Sequence, residues 1–299
     1  MINDYLAKEC SLSQLTFQTD AMLAPHSTFG IGGQADYIVK PLCEDALIRL
    51  IDFLKKNGIR YGVFGNGSNL LFDDAGYRGV VILTTGLKNY RITETVIEAE
   101  CGTSLIGLSA LATREGLSGL EFACGIPGSL GGAVYMNAGA HGGEMSDVVL
   151  SVRYLDSEGT VRETTSHGFS YRHSFYQDRD YIILSCKMGL RFGDREEILR
   201  KVAANKEKRE STQPTRERSA GSVFRRSDGI IPAALIDRAG LKGLSVGGAQ
   251  VSRKHAGFIV NTGNATACDV ITLINLISEK IYSLYQIQLT PEIRLISER

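Results

Sequence analysis

Two stretches of this chain carry glycine where a backbone would have to come close to an anion. They are Gly65-Asn66-Gly67-Ser68-Asn69 and Gly125-Ile126-Pro127-Gly128-Ser129-Leu130-Gly131-Gly132. Glycine admits positive φ, so main-chain N–H groups can turn toward one charge, and Ser68 and Asn69 add side-chain donors. One G-x-G alone is more often a tight turn. Two donor-rich loops at separate strand ends point instead to a long ligand, such as a dinucleotide with two phosphates. A Rossmann cradle is excluded, because Leu70-Leu71 stand where a third glycine is required. A P-loop is excluded as well, since no G-x-x-x-x-G-K-S/T occurs. His141 and His173 read as structural histidines, because no carboxylate–histidine–serine order accompanies them. Lys206, Lys208, Arg209, Arg216 and Arg218 are interleaved with Glu207, Glu210 and Glu217, which reads as a solvated helix and linker.

The elements that must position these loops follow from periodicity and punctuation. Ala35–Val39 alternates as a strand, and residues 45–57 have helical apolar spacing ending at Gly58. Tyr61–Phe64 reads as a short strand feeding the first loop, with strands at Val80–Leu83 and Val96–Ala99 after it. A helix is predicted from about Ser104 to Glu115, and strands at Val148–Leu155, Thr160–Thr164 and Tyr181–Leu190. A charged helix follows Asp194, with Glu197 completing a cap, and stops before Gln213-Pro214. A helix at Pro232–Ala239 and a strand at Phe258–Val260 come next. A capped helix then begins after Thr266, with the stripe Val270, Leu273, Ile274, Ile277, Ile281 and Leu284. Pro291–Ile296 closes the chain as a strand. The stretch before Thr28 reads only as a polar segment.

The bulk properties set limits. With 299 residues the chain calls for two or three lobes. Hydrophobic residues at 43% and charged residues at 22% exclude disordered and fibrous classes. A formal net charge of zero leaves no global field for nucleic acid or an anionic membrane. No apolar run approaches the ~20 residues of a membrane span, and MINDYLAKEC does not read as a secretion signal. Cys10, Cys43, Cys101, Cys124, Cys186 and Cys268 are scattered singly, which suits reduced thiols in a cytoplasm and no metal site.

Several phrases, in order, resemble the UDP-N-acetylenolpyruvoylglucosamine reductase family. They are TFGIGGQADY, FGNGSNLLF, GLSGLEFACGIPGSLGGAVYMNAGAHGGE, YRHS, AGSVFRR, LIDRAGLKG and TPEIRLI. Together they cover nearly the whole chain from Thr28. The resemblance implies an α+β, three-lobed protein with the FAD-binding fold of vanillyl-alcohol-type oxidases plus a C-terminal α+β substrate lobe. The implied lobes are residues 1–83, joined by a terminal strand at 288–299; residues 84–193; and residues 194–287. It further implies a cytoplasmic monomer that binds FAD non-covalently, takes NADPH as co-substrate and reduces UDP-N-acetylglucosamine enolpyruvate to UDP-N-acetylmuramate for peptidoglycan.

Carried over position by position, Ser222 matches the family's proton donor, and Arg172 and Glu292 match the pair that stabilises the intermediate. The two glycine loops, with Ala133, Asn137 and Gly139, match cofactor contacts. Tyr171, Arg225 and Gln250 match substrate contacts. The chain departs from the pattern in three places. It runs from Leu190 almost directly into the Asp194 helix, as in a shorter subtype that lacks a tyrosine-bearing insertion. Glu210 stands nearest a family lysine, with Lys208 and Arg209 beside it, and Arg225-Arg226 replaces a common Lys-Asn. Two rival readings stand beside this one: an FAD-dependent oxidase of a hydroxy acid or alcohol, and a non-catalytic nucleotide-sugar sensor.

Overall fold

Ala46, Leu47, Leu50, Ile51 and Leu54 recur at helical spacing, and in the computed structural model they form the buried stripe of the helix Glu44–Lys56. Asn57 ends that helix and Gly58 follows at φ +61. The described residues are 1–297 apart from Asp180 and Asp228, so the last two residues of the expected 288–299 segment lie outside them. The chain divides into two compact units. The first comprises Met1–Thr19, Tyr37–Asn66 and Gly79–Lys208, and the second Asp20–Asp36, Gly67–Arg78 and the chain from Arg209 onward. Residues 1–83, expected as one lobe, thus contribute segments to both.

In the first unit an antiparallel sheet runs in the order Val161–Thr164, Val149–Leu155, Ile182–Gly189, Val96–Glu100, Tyr90–Thr93. Val152, Cys186 and Ala99 stand in register across its middle and are all buried. The helix Leu105–Arg114 begins at Ser104, whose side chain accepts the Gly107 N–H. Arg153 grips Glu44 through two bonds of 2.9 and 2.7 Å, tying a strand of this sheet to the start of the helix Glu44–Lys56. A second sheet has the order Leu15–Met22, Gln34–Pro41, Tyr77–Leu83, Tyr61–Phe64. Tyr61–Phe64 pairs in parallel with residues 80–83. The first glycine loop therefore leaves the carboxyl end of a parallel strand, the end at which open α/β sheets bind ligands.

The opening segment is not merely polar. It forms the helix Ile2–Ser11 and the strand Leu15–Met22. Leu6 is fully buried, and Tyr5 stacks on Phe53 with ring centroids 4.0 Å apart. Ile2, Tyr5 and Leu6 carried the helical spacing, but one turn of signal was masked by its acidic and polar neighbours.

The second unit holds an antiparallel sheet of Ser245–Val246, Ala249–Val251 and Ile259–Asn261 and the helices Pro232–Arg238 and Ala267–Tyr285. A parallel pair joins Arg294–Ile296 to Leu70–Phe72. The long helix carries the expected capping box between Thr266 and Asp269. Its stripe departs from expectation at one place. Leu284 is 49% exposed, because the register passes from Ile281 to Tyr285, which packs against the core in its stead. The terminal strand also starts later than expected, at Arg294 rather than Pro291. Proline lacks the N–H that would extend a ladder, and Pro291 bridges Phe224 instead. Among the described residues no helix is long and apolar enough to cross a membrane, and all six cysteines are free.

Candidate functional site

The start of the first glycine loop, Gly65-Asn66, meets the second loop within the first unit. Asn66 Nδ2 donates to the Pro127 carbonyl at 2.7 Å. A Cβ on Gly65 would overlap Ser129 Oγ, so only glycine lets the loops lie this close. The amides of Gly128, Leu130 and Gly131 donate to Ile126, Thr103 and Cys101 carbonyls at 2.9, 2.8 and 2.7 Å, and Gly132 N–H reaches Ser129 Oγ at 3.4 Å. Ser129 thereby starts a short helix, Leu130–Tyr135, that includes Ala133. A Cβ on Gly131 would stand 2.8 Å from Cys101 Cβ. Gly131 thus serves close approach to Cys101, and the N–H groups of Gly128, Gly131 and Gly132 are bonded within the protein.

The first loop differs. Among the described residues the amides of Asn66, Gly67 and Ser68 donate to no protein acceptor. Buried or half-buried amides rarely go unpaired in folded chains, so Gly67 and Ser68 N–H suit the oxygens of a phosphate-bearing ligand. Within the second unit Gly67 takes φ +63, and a Cβ there would overlap the His26 carbonyl oxygen. Asn69 Nδ2 donates to Glu292 O at 3.3 Å, and Asn69 O accepts the Arg294 N–H at 3.0 Å.

Arg172 sits in a two-residue turn closed by Ser170 and His173, whose N–H and C=O groups exchange bonds of 3.1 Å. It adopts φ +56, a region that costs a side-chain-bearing residue free energy and persists only when its surroundings fix it. Those surroundings are visible. Asn137, fully buried, donates to Ser170 O at 3.0 Å and accepts the Ser146 N–H at 2.9 Å. Gln177 Nε2 donates to Arg172 O at 3.0 Å and to Tyr135 O at 2.7 Å. The guanidinium donates to Gly139 O at 2.9 Å, and its carbon lies 5.0 Å from the Tyr171 ring centre. Asn137 and Gly139, expected as cofactor contacts, also hold the Arg172 turn. Gln177 carried no sequence signal, since nothing in its neighbours marks a glutamine that binds backbone.

Ser222 and Glu292 are brought close in the second unit through one residue, Val223. Val223 N–H donates to Gly257 O at 2.9 Å, and Val223 O accepts the Glu292 N–H at 2.7 Å. Ser222 bridges Phe258 on one side, and Phe224 bridges Pro291 on the other. Val223 and Phe224 are buried while Ser222 is exposed, and its hydroxyl has no protein partner among the described residues. Arg225 N–H donates to Thr290 O at 2.9 Å. Gln250 lies farther along the small sheet, with its amide on Ser245 Oγ at 2.8 Å. His173 contacts Asp178 at 2.9 Å. His141 takes φ +53 in the turn joining Gly139–Ala140 to Gly143–Glu144.

Comparison with known proteins agrees with this architecture. The FAD binding domain family matches residues 35–165. The same fold recurs in a glucose dehydrogenase, Phl p 4.0202, at 14% identity and a TM-score of 0.50, covering 64% of this chain and 44% of that one. The class is therefore a flavoprotein with an FAD-binding domain of mixed helix and sheet. The UDP-N-acetylenolpyruvoylglucosamine reductase C-terminal domain matches residues 213–296. A UDP-N-acetylenolpyruvoylglucosamine reductase from Caldanaerobacter subterraneus is 44% identical over 276 residues, 92% of this chain and 91% of the relative. One from Clostridioides difficile is 41% identical over 290 residues, covering 96% and 95%. The crystal structure of the reductase from Thermus caldophilus superposes with a TM-score of 0.82 at 35% identity, covering 95% of this chain and 99% of that one. The chain belongs to the UDP-N-acetylenolpyruvoylglucosamine reductase family of oxidoreductases.

Proposed function

We propose that this chain is a cytoplasmic, monomeric reductase that converts UDP-N-acetylglucosamine enolpyruvate to UDP-N-acetylmuramate. FAD, held non-covalently and reduced by NADPH, supplies the hydride. The first glycine loop holds the cofactor's phosphates through the amides of Gly67 and Ser68, and its start, Gly65-Asn66, is braced by Pro127 and Ser129 of the second. A division into two FAD-binding lobes and a substrate lobe belongs to the same reading, with Tyr171, Arg225 and Gln250 on the substrate.

Once hydride reaches the terminal vinyl carbon, negative charge develops on the neighbouring carbon and spreads into its carboxylate. Catalysis requires groups that favour this species over the ground state. Arg172 offers the carboxylate a fixed cation with paired donors. Glu292 hydrogen-bonds to the same group when protonated. The Ser222 hydroxyl gives its proton to the carbanionic carbon, and the serine oxygen regains one from solvent. Serine is a weak acid, but a carbanion is a far stronger base than the alkoxide it leaves.

The observation that carries the reading is Val223, whose N–H bonds the Gly257 carbonyl and whose own carbonyl bonds the Glu292 N–H, with Ser222 exposed next to it. The test separates the half-reactions. In Ser222→Ala, NADPH should bleach the flavin at the normal rate, while recolouring by the enolpyruvyl substrate falls ~100-fold or more, the scale of a lost general acid. Normal recolouring, or equal loss of both steps, would overturn the assignment.

A further inference from the structure

The turn on which Ser222 leans has a histidine at its base. Ser252 Oγ accepts the N–H groups of Lys254 and His255 at 3.2 and 3.4 Å. Phe258 N–H closes the turn onto His255 O at 3.0 Å. Within it, Gly257 N–H donates to His255 Nδ1 at 3.1 Å. The other end of that residue, Gly257 O, is the acceptor of the Val223 N–H. A Cβ on Gly257 would stand 3.0 Å from His255 Cε1 and 3.1 Å from Ala233 Cβ, so the contact between imidazole and backbone is close on both sides. His255 also packs edge-on to Phe258, with ring centres 4.9 Å apart.

An imidazole nitrogen that accepts a hydrogen bond carries no proton. We infer that His255 is a positioning residue for Ser222, in which the unprotonated Nδ1 fixes the Gly257 peptide and so fixes the main chain that presents the hydroxyl. The inference rests on Ser222 being the proton donor. Protonation at Nδ1 would place a donor against the Gly257 N–H and release the turn. Burial, the largest influence, holds the ring's affinity for protons below that of free histidine; a hydrogen bond to its own backbone works against this, and the cations Arg226 and Lys242 act with burial. Asp237 adds a smaller opposing influence, and it is already engaged by Lys242 at 2.8 Å. The neutral ring is thus favoured near neutral pH, and the turn loosens as acid is added.

The test uses the FAD-loaded enzyme and follows each half-reaction from pH 5 to 8. His255→Leu removes the acceptor, while His255→Asn keeps an oxygen near the Nδ1 position and cannot titrate. Substrate-driven recolouring should fall about tenfold to a hundredfold in His255→Leu, the scale of a misplaced catalytic group, with NADPH bleaching within about twofold of wild type. His255→Asn should restore most of the recolouring rate at pH 7.5 and abolish its decline in acid. Ring-nitrogen NMR should show Nδ1 unprotonated at pH 7.5. An unchanged acid decline in His255→Asn, wild-type recolouring in His255→Leu, or equal loss of both half-reactions would overturn the inference. Normal recolouring in Ser222→Ala would instead remove the underlying reading, whatever the histidine variants do.

Discussion

Arg172 keeps a backbone conformation that glycine would hold at no steric cost, and it does so with a long charged side chain attached. The arrangement makes sense only if the guanidinium is needed at that turn. Arg172→Gly should therefore change stability to urea by less than about 1 kcal/mol, since relief of strain offsets lost contacts, while recolouring of the flavin by substrate collapses. A large loss of stability would show that the arginine is there for the fold. Gly67→Ala should act in the opposite way, because the new methyl meets the His26 carbonyl and φ is +63. We expect a loss of at least about 1 kcal/mol and a purified protein with a reduced flavin-to-protein absorbance ratio. The loops themselves were legible in sequence because glycine clusters are rare enough to notice. What each glycine does was not. Gly131 serves contact with Cys101 and Gly67 serves a turn, and such differences depend on neighbours distant in the chain.

The helix Ala267–Tyr285 shows how far a local signal reaches. Thr266 and Asp269 announced its start, and the structure has that capping box. It also has a second cap that no local pattern could announce. Asp74 accepts the N–H groups of Ala267 and Cys268 at 2.7 and 3.0 Å across 193 and 194 residues of sequence. Asp74→Ala should cost about 1–2 kcal/mol, the range for removing a helix cap, read from the denaturation midpoint. Most helices and strands were legible from apolar spacing because each buries one face. The helix Ile2–Ser11 was overlooked because Leu6 is its one fully buried apolar side chain. The expected strand Pro291–Ile296 is shortened to Arg294–Ile296 because periodicity cannot tell which neighbour a segment bonds, and residues 290–292 bond residues 223–225.

Acid sensitivity of the molecule follows from two histidines. Burial lowers the proton affinity of His167, whose Nδ1 lies 3.0 Å from Tyr176 Oη, and of His255. The unfolded chain binds protons at these sites from the ordinary value of 6.5 downward, while the folded chain resists them. Unfolding thus takes up protons in that window, and stability falls as pH drops below 6.5 toward the lower folded values. The thermal midpoint should be flat from pH 7 to 8 and decline below 6.5. His167→Gln should flatten part of the decline, and a midpoint that rises in acid would contradict this account.

The carbonyl of Glu292 is the acceptor for Asn69, 223 residues earlier in the sequence, and Leu70–Phe72 waits for Arg294–Ile296 as its parallel partner. On a ribosome adding ~5–20 residues per second, the first glycine loop emerges roughly 10–45 s before the strand that anchors it. During that interval Asn69 lacks its partners at Glu292 and Arg294. If this loop is the cofactor cradle proposed above, a nascent chain completes it only after residue 296 has left the exit tunnel, and flavin capture would be a late event in the life of each newly made molecule.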